Sequence, residues 1–276
     1  MSQAALRPEE VVNLEAWPIA DTADPRRAAL VGRLRHDLDT LQYCVLPDFI
    51  TRAALERTIA DVKTVFDRGY RNRSHRTCYL YKKGDPSKPA DDPANIFFDA
   101  SYRMIANDVL PDAIPIKTLY RWPAMIRFVE DVVSAARLFP SDDPLQPVNV
   151  VCYDAGDCSA WHFDSTSPFT MTLMLQAAES GGEFEIVPNT RSQDDPKTAE
   201  VTKVLKGDRS RLQTVPREPG ALVIFRGCNS LHRVTEVAGQ RQRLMSVFVY
   251  EDHPGVVGDP GVNETVYGRS GAAQPA

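Results

Sequence analysis

Several protein classes leave marks that this chain lacks. Its five cysteines, Cys44, Cys78, Cys152, Cys158 and Cys228, are odd in number and form no C-x-x-C pair, so a disulfide framework is not expected. No stretch approaches the roughly 18 apolar residues of a membrane span, and the N-terminus has no charged segment leading into a long apolar run. A cytoplasmic location is therefore the expectation. Positive charge is also short: 32 Lys and Arg against 37 Asp and Glu leave a net charge of −5, which argues against a nucleic-acid surface. Arg71-Asn72-Arg73 and Lys82-Lys83 are too brief to overturn that and read as solvated faces. There is no internal repeat and no low-complexity tract.

What is present is enough apolar sequence for a sizeable core, 43% of 276 residues, which favours a single domain over two independent ones. Residues 1–140 read as a helical elaboration with lid loops and 145–252 as a β core. Residues 1–24 read as a poorly structured lead-in, although Leu14, Trp17 and Ile19 could pack on the body. Helical spacing is expected over Ala28 to Thr40 and Thr51 to Asp67, with a strand at Tyr43 to Leu46 between them, and again over Thr118 to Leu138. Gly84, Pro86, Pro89 and Pro93 point to a long loop from Gly69 through about residue 94, a candidate cover for a site. Strands are expected at Val148–Tyr153, Ala160–Asp164, Phe169–Gln176, Glu183–Val187, Ala221–Phe225, His232–Val237 and Leu244–Tyr250. A short helix is expected around Ala199–Leu205 and a frayed tail from Gly268 to Ala276. Short strands separated by Gly, Pro, Asn and Asp turns fit a mainly β, cupin-like jelly roll, the double-stranded β-helix, with flanking helices.

Within that frame, Trp161-His162-Phe163-Asp164 carries the chemistry. Side chains alternate along a strand, so His162 and Asp164 share one face while Trp161 and Phe163 take the other. His232, beyond the strand-like Ala221–Phe225 and the turn at Arg226–Ser230, can add a third ligand from a neighbouring strand. Two imidazoles and one carboxylate form the facial triad of non-haem Fe(II) oxygenases, which leaves positions open for an oxidant and a co-substrate. Arg243 opens the apolar run through Tyr250, and a permanent charge there is costly unless an anion meets it, or unless it faces water from an edge strand.

These residues, with Gly181-Gly182-Glu183-Phe184-Glu185, Pro219 through Phe225, Ser230-Leu231-His232-Arg233-Val234 and Gly239-Gln240-Arg241-Gln242-Arg243, resemble the Fe(II)- and 2-oxoglutarate-dependent oxygenases. More narrowly, they resemble the bacterial branch of free-amino-acid hydroxylases and amino-acid radical halogenases. The resemblance covers about residues 145 to 252. It implies that His162, Asp164 and His232 bind Fe(II) and that Arg243 anchors the distal carboxylate of 2-oxoglutarate. Arg241 is the runner-up for the anchor, since alternation puts both Arg on one face of a regular strand; Tyr153 is either a further co-substrate contact or core packing. The implied chemistry consumes O2 and releases succinate and CO2. In the halogenating relatives a small residue replaces the carboxylate and vacates a place for chloride; Asp164 fills that place here, which favours hydroxylation, desaturation or ring closure.

A non-oxidative metal-dependent cupin enzyme shares the fold but does not call for Arg243, and a metal-free binding protein has no need of the three ligands. The resemblance implies a small-molecule substrate, a free amino acid or a derivative of one. Arg73, His75, Arg76, Tyr79, Asp99, Asn149 and Arg226 are chemically suited to contact it. The oligomeric state is not legible.

Overall fold

The structure, a computed structural model, describes residues 4–164 and 168–270. Near the N-terminus, α1 (Pro8–Val11) and α2 (Pro25–Leu41) precede β1 (Tyr43–Leu46), and α3 (Arg52–Val65) follows. Asp24 caps α2 by accepting from Arg26 N, and Thr51 caps α3 by accepting from Ala54 N. Each side-chain oxygen satisfies an amide that a helix start leaves without a partner. The lead-in is better packed than expected: Val11, Val12, Trp17 and Ile19 are buried, and Trp17 donates to Pro47 O at 2.9 Å.

A second correction concerns the segment after Gly69. Rather than a loop, Tyr70–Thr77 is a strand, β2, paired antiparallel with β3 (Phe97–Ile105). The irregular stretch starts only after Thr77. Mostly polar, half-exposed residues suit β2 to the edge of a sheet and hide it from a reading keyed to β-branched and aromatic runs. The expected helix over Thr118 to Leu138 is two, α4 (Pro115–Arg121) and α5 (Pro123–Val133). Trp122 is extended at φ −73° and ψ 120° because the following proline ring excludes the helical conformation there. Helix α5 ends at Ser134, which is left-handed.

The β core follows. It comprises β4 (Phe139–Pro140), β5 (Val148–Tyr153), β6 (Ser159–His162), β7 (Thr170–Gln176), β8 (Ser180–Gly181) and β9 (Phe184–Val187). Helix α6 (Thr198–Leu205) interrupts it before β10 (Gln213–Val215), β11 (Leu222–Phe225), β12 (Leu231–Val234), β13 (Val237–Ala238), β14 (Arg243–Phe248) and β15 (Tyr250–Glu251). A C-terminal helix, α7 (Pro260–Tyr267), was not anticipated; of the tail expected to fray, residues 271–276 lie outside the described residues.

A seven-stranded sheet in the order β1-β11-β7-β14-β5-β3-β2 faces a four-stranded sheet in the order β10-β9-β12-β6, every pairing antiparallel. This is the expected jelly roll. Strand alternation sorts the large sheet into two faces. Leu244 and Phe248 of β14, Val148, Val150 and Cys152 of β5, and Leu222 and Ile224 of β11 pack outward with residues of α2, α4 and α5. Met245, Val151, Tyr153, Val223 and Phe225 point inward to meet Phe184, Ile186 and Val234 of the small sheet. Arg243 has the inward parity of Met245, so the fold places a guanidinium between the sheets.

Candidate metal centre and its cavity

Strand pairing brings the two histidines together. In the ladder between β6 and β12, His162 and His232 are direct partners, and their ring centroids lie 4.2 Å apart. Asp164 follows β6 by two residues and is fixed by a hydrogen bond from its backbone N–H to Gly227 O at 3.1 Å. The Asp164 Oδ1 oxygen lies 3.7 Å from His162 Nε2 and 3.4 Å from His232 Nε2, and one ligand atom from each of the three lies within 4.8 Å of the others. Both rings turn Nδ1 to a backbone carbonyl, His162 to Ala160 O at 2.7 Å and His232 to Ser230 O at 2.9 Å. When Nδ1 carries the proton and donates it there, Nε2 keeps its lone pair for a metal.

Charge agrees with that assignment. Burial and the neighbouring His232 push the His162 imidazole down to about 4, so it is neutral, the ligating form, at ordinary pH. Burial pushes the Asp164 carboxyl upward, but His232, His162 and the Thr170 hydroxyl outweigh it and hold it below the usual carboxylate range. Thr170 Oγ1 donates to Asp164 Oδ2, which leaves Oδ1 facing the imidazoles. The donor set suits Fe(II), for which these three residues would supply one face of an octahedral site.

Between the two sheets lies the buried cation expected from the sequence. Arg243, 1% exposed, pairs in register with Tyr153, and its guanidinium carbon lies 5.2 Å from that ring's centroid. Its Nε donates to Gly182 O at 2.9 Å, while Nη1 is buried with no partner. Burial pushes this guanidinium down from its ordinary value. Gly182 is required on two counts: its φ is +71°, and a Cβ there would stand 2.8 Å from Arg243 Cδ. Arg241 is not brought to the centre. It is exposed, before β14 begins, and donates to Ala177 O and Ala178 O.

A cavity of about 600 Å³ opens over His162 and Asp164. Of the residues suited to contact a substrate, Arg76 lines it. His75 turns to Asp99 at 2.8 Å, Arg226 pairs with Asp39 at 2.8 Å, Asn149 donates to Tyr267 Oη at 3.1 Å, and Tyr79 stacks on Phe163. Arg73 faces other grooves with Ser74 and His75. The segment expected to cover the site does contribute a wall, through Ser74, Thr77, Leu80 and Lys82.

Four contributors were missed. Thr170 and Gly227 hold Asp164, and Arg191 stacks 4.0 Å from the Phe163 ring while donating to Asp164 O at 3.3 Å. The fourth is Arg217, whose guanidinium carbon sits 3.6 Å from the centroid of Phe184. Its one local signal is a charged residue between Pro216 and Pro219, just ahead of β11.

The profile of the family described as HalD, Halogenase D, matches residues 99–257, more than half of the chain. No curated protein matches in sequence. Among solved structures, AviO1 from Streptomyces viridochromogenes Tue57 aligns at 17% identity over 85% of this chain and 98% of its own, with a TM-score of 0.54. A 2OG-Fe(II) oxygenase family oxidoreductase from Burkholderia pseudomallei aligns at 17% identity over 81% of this chain and 91% of its own, with a TM-score of 0.50. HygX from Streptomyces hygroscopicus, solved with nickel, 2-oxoglutarate and hygromycin B, aligns at 16% identity over 79% and 86%, with a TM-score of 0.51. At these identities the structural likenesses speak for the fold.

Proposed function

Because the chain belongs to the Halogenase D family of Fe(II)- and 2-oxoglutarate-dependent oxygenases, we propose that it hydroxylates an unactivated C–H bond of a small amino acid or amino-acid-derived metabolite. In this reading His162, Asp164 and His232 hold the iron, and Arg243 binds the distal carboxylate of 2-oxoglutarate beside Tyr153. The observation that carries it is the convergence of two imidazoles and one carboxylate, whose ligand atoms lie within 4.8 Å of one another, with an unpartnered guanidinium nitrogen buried on β14 of the facing sheet. Iron, 2-oxoglutarate and O2 supply the oxidising power, with succinate and CO2 as co-products.

The chain's own groups do the positioning. The Ala160 and Ser230 carbonyls set the imidazole tautomers, and Thr170 holds Asp164 Oδ2 so that Oδ1 alone faces the metal position. Tyr102, Val247 and Val266 give the cavity apolar walls that exclude water from the reacting bond. Arg76 and Lys82 on one wall offer cations for a substrate carboxylate, and Asp259 from the start of α7 offers an anion for an amine. Such partners are required because an unpaired charge in a closed pocket is costly.

The family's description invites a second reading, chlorination. Asp164 opposes it: the carboxylate occupies, and neutralises, the position that a halide would need. The test is a panel of free amino acids and derivatives incubated with Fe(II), ascorbate, O2, 2-oxoglutarate and chloride. Succinate rises with the true substrate, and mass spectrometry finds gain of oxygen. Loss of two hydrogens would move the reading to desaturation or ring closure, and incorporated chlorine would reverse the argument from Asp164. A folded, iron-loaded protein that makes no succinate across the panel would return the fold to non-oxidative cupin chemistry.

A further inference from the structure

Arg217 has no place in the triad or in the anchor, yet its surroundings match those of Arg243. The residue is part-buried, but its Nε and Nη2 nitrogens have lost solvent access and have no hydrogen-bond partner. Its guanidinium lies against Phe184, 3.6 Å from the ring centroid, and 5.5 Å from that of Phe225. Those two rings pack in turn on His232, at 5.6 Å and 5.1 Å. Arg217 Nη1 reaches Met245 Sδ at 2.9 Å, and Arg243 Nη2 approaches the same sulfur from 3.8 Å. Two guanidiniums thus close on one thioether, a weak acceptor that cannot balance either charge.

Such an arrangement is unfavourable as it stands. Burial and the neighbouring Arg243 both push the Arg217 guanidinium well below its ordinary value. A guanidinium stays protonated in proteins, so the pressure calls for an anion rather than a lost proton. Asp164 is the carboxylate that bears on Arg217, and it is already committed to Thr170 and the two histidines. A carboxylate offers about four lone-pair sites. Arg243 Nη1 with Arg217 Nε and Nη2 are three buried donors without partners.

Building on the reading of Arg243 as the co-substrate anchor, we propose that Arg217 is a second co-substrate-binding residue, and that the distal carboxylate of 2-oxoglutarate is gripped between the two guanidiniums that flank Met245. Phe184 serves as the platform that holds the planar Arg217 fork in position. A lysine cannot reproduce this, because its ammonium is a point charge with no face to stack.

The test uses full-length protein, anaerobic and loaded with Fe(II), titrated with 2-oxoglutarate and followed by the visible charge-transfer band and by calorimetry. Arg217→Met and Arg243→Met are each expected to weaken binding by at least roughly 30-fold, the factor equivalent to about 2 kcal/mol, the lower bound for truncating one partner of a buried charge pair. Arg217→Lys recovers part of the loss. Near-ultraviolet circular dichroism and Fe(II) affinity are expected to be unchanged in all three. If Arg217→Met binds 2-oxoglutarate like the wild type while Arg243→Met does not, the second grip is overturned and the anchor stands; the same holds if Arg217→Met costs thermal stability alone. If the wild type itself shows neither band nor heat with 2-oxoglutarate, the reading of Arg243 fails first.

Discussion

Replacing Gly227 by alanine tests the geometry of the metal site without touching a ligand. Gly227 is not among the glycines with positive φ, so its backbone accepts alanine without strain. Space is what forbids it. A Cβ at 227 would stand 1.9 Å from Asp164 Oδ2, 2.7 Å from Asp164 Cγ and 3.0 Å from Phe225 Cε2. The Asp164 backbone is held, because its amide donates to Gly227 itself, so the carboxylate can yield only by turning and giving up its bond from Thr170. The turn resists too: Arg226 N donates to Gln42 O, and Arg191 Nε donates to Cys228 O. The cheapest relief is to rotate the Asp164 carboxylate away from the two Nε2 atoms.

Loss of a group that orients a metal ligand costs about 10- to 100-fold in metal affinity, equivalent to about 1.4–2.8 kcal/mol. Gly227→Ala should lose Fe(II) affinity in that range in anaerobic competition with a chromophoric chelator. The melting temperature of the metal-free protein, measured alongside, should change little, since the cost falls on the ligand and not on the core. Wild-type Fe(II) affinity in a correctly folded Gly227→Ala protein would refute the reasoning, because the carboxylate could then not be where the metal needs it.

The remaining predictions are smaller. Thr170→Val removes the hydroxyl from the same Oδ2 oxygen and should cost about 10-fold in Fe(II) affinity, read by the same competition, because a part-buried ligand is left without the donor that orients it. Arg241→Ala should leave 2-oxoglutarate affinity unchanged in the same titration that detects the weakening by Arg243→Met, since Arg241 faces solvent. Burial pushes the Cys44 and Cys78 thiols up to about 12 and the Cys152 thiol further still. As the thiolate is the reactive form, a chromogenic thiol reagent at pH 8 should titrate at most the part-exposed Cys158 and Cys228 in the native protein, and all five cysteines after denaturation. Gly32 sits exposed inside α2 with nothing within 4 Å of an added Cβ, so Gly32→Ala should stabilise by about 0.5–1 kcal/mol in urea unfolding.

Much of the fold was legible because strand and helix patterning is local. Tyr43–Leu46 and Val148–Tyr153 are the strands that their β-branched and aromatic content predicts. The misreadings share a cause as well. Tyr70–Thr77 is a strand made of Arg, Asn, Ser and His, held by pairing with β3 rather than by its own propensity. The N-terminal lead-in is pinned by contacts reaching across the chain, such as Val12 with Ile50 and Trp17 with Pro47. The break at Trp122, by contrast, was within reach, since the residue before a proline avoids the helical region.

At the candidate site the division runs between two layers. His162 and Asp164 can be read together because the pleat alone puts residues two apart on one face, and Arg243 because a charge in an apolar run demands a reason. The groups that fix Asp164 follow from register instead. Thr170 of β7 lies directly opposite Phe225 of β11, and the turn that leaves β11 carries Gly227 to the other side of the same carboxylate. A hydroxyl pulling on Oδ2 and a missing Cβ making room for it therefore meet only when β7, β11 and the end of β6 take up this pairing. Neither residue carries any mark of that role in its own stretch of sequence. It is this pairing that leaves Oδ1 facing both imidazoles, so the layer hidden from the sequence decides whether the visible ligands can act as a set.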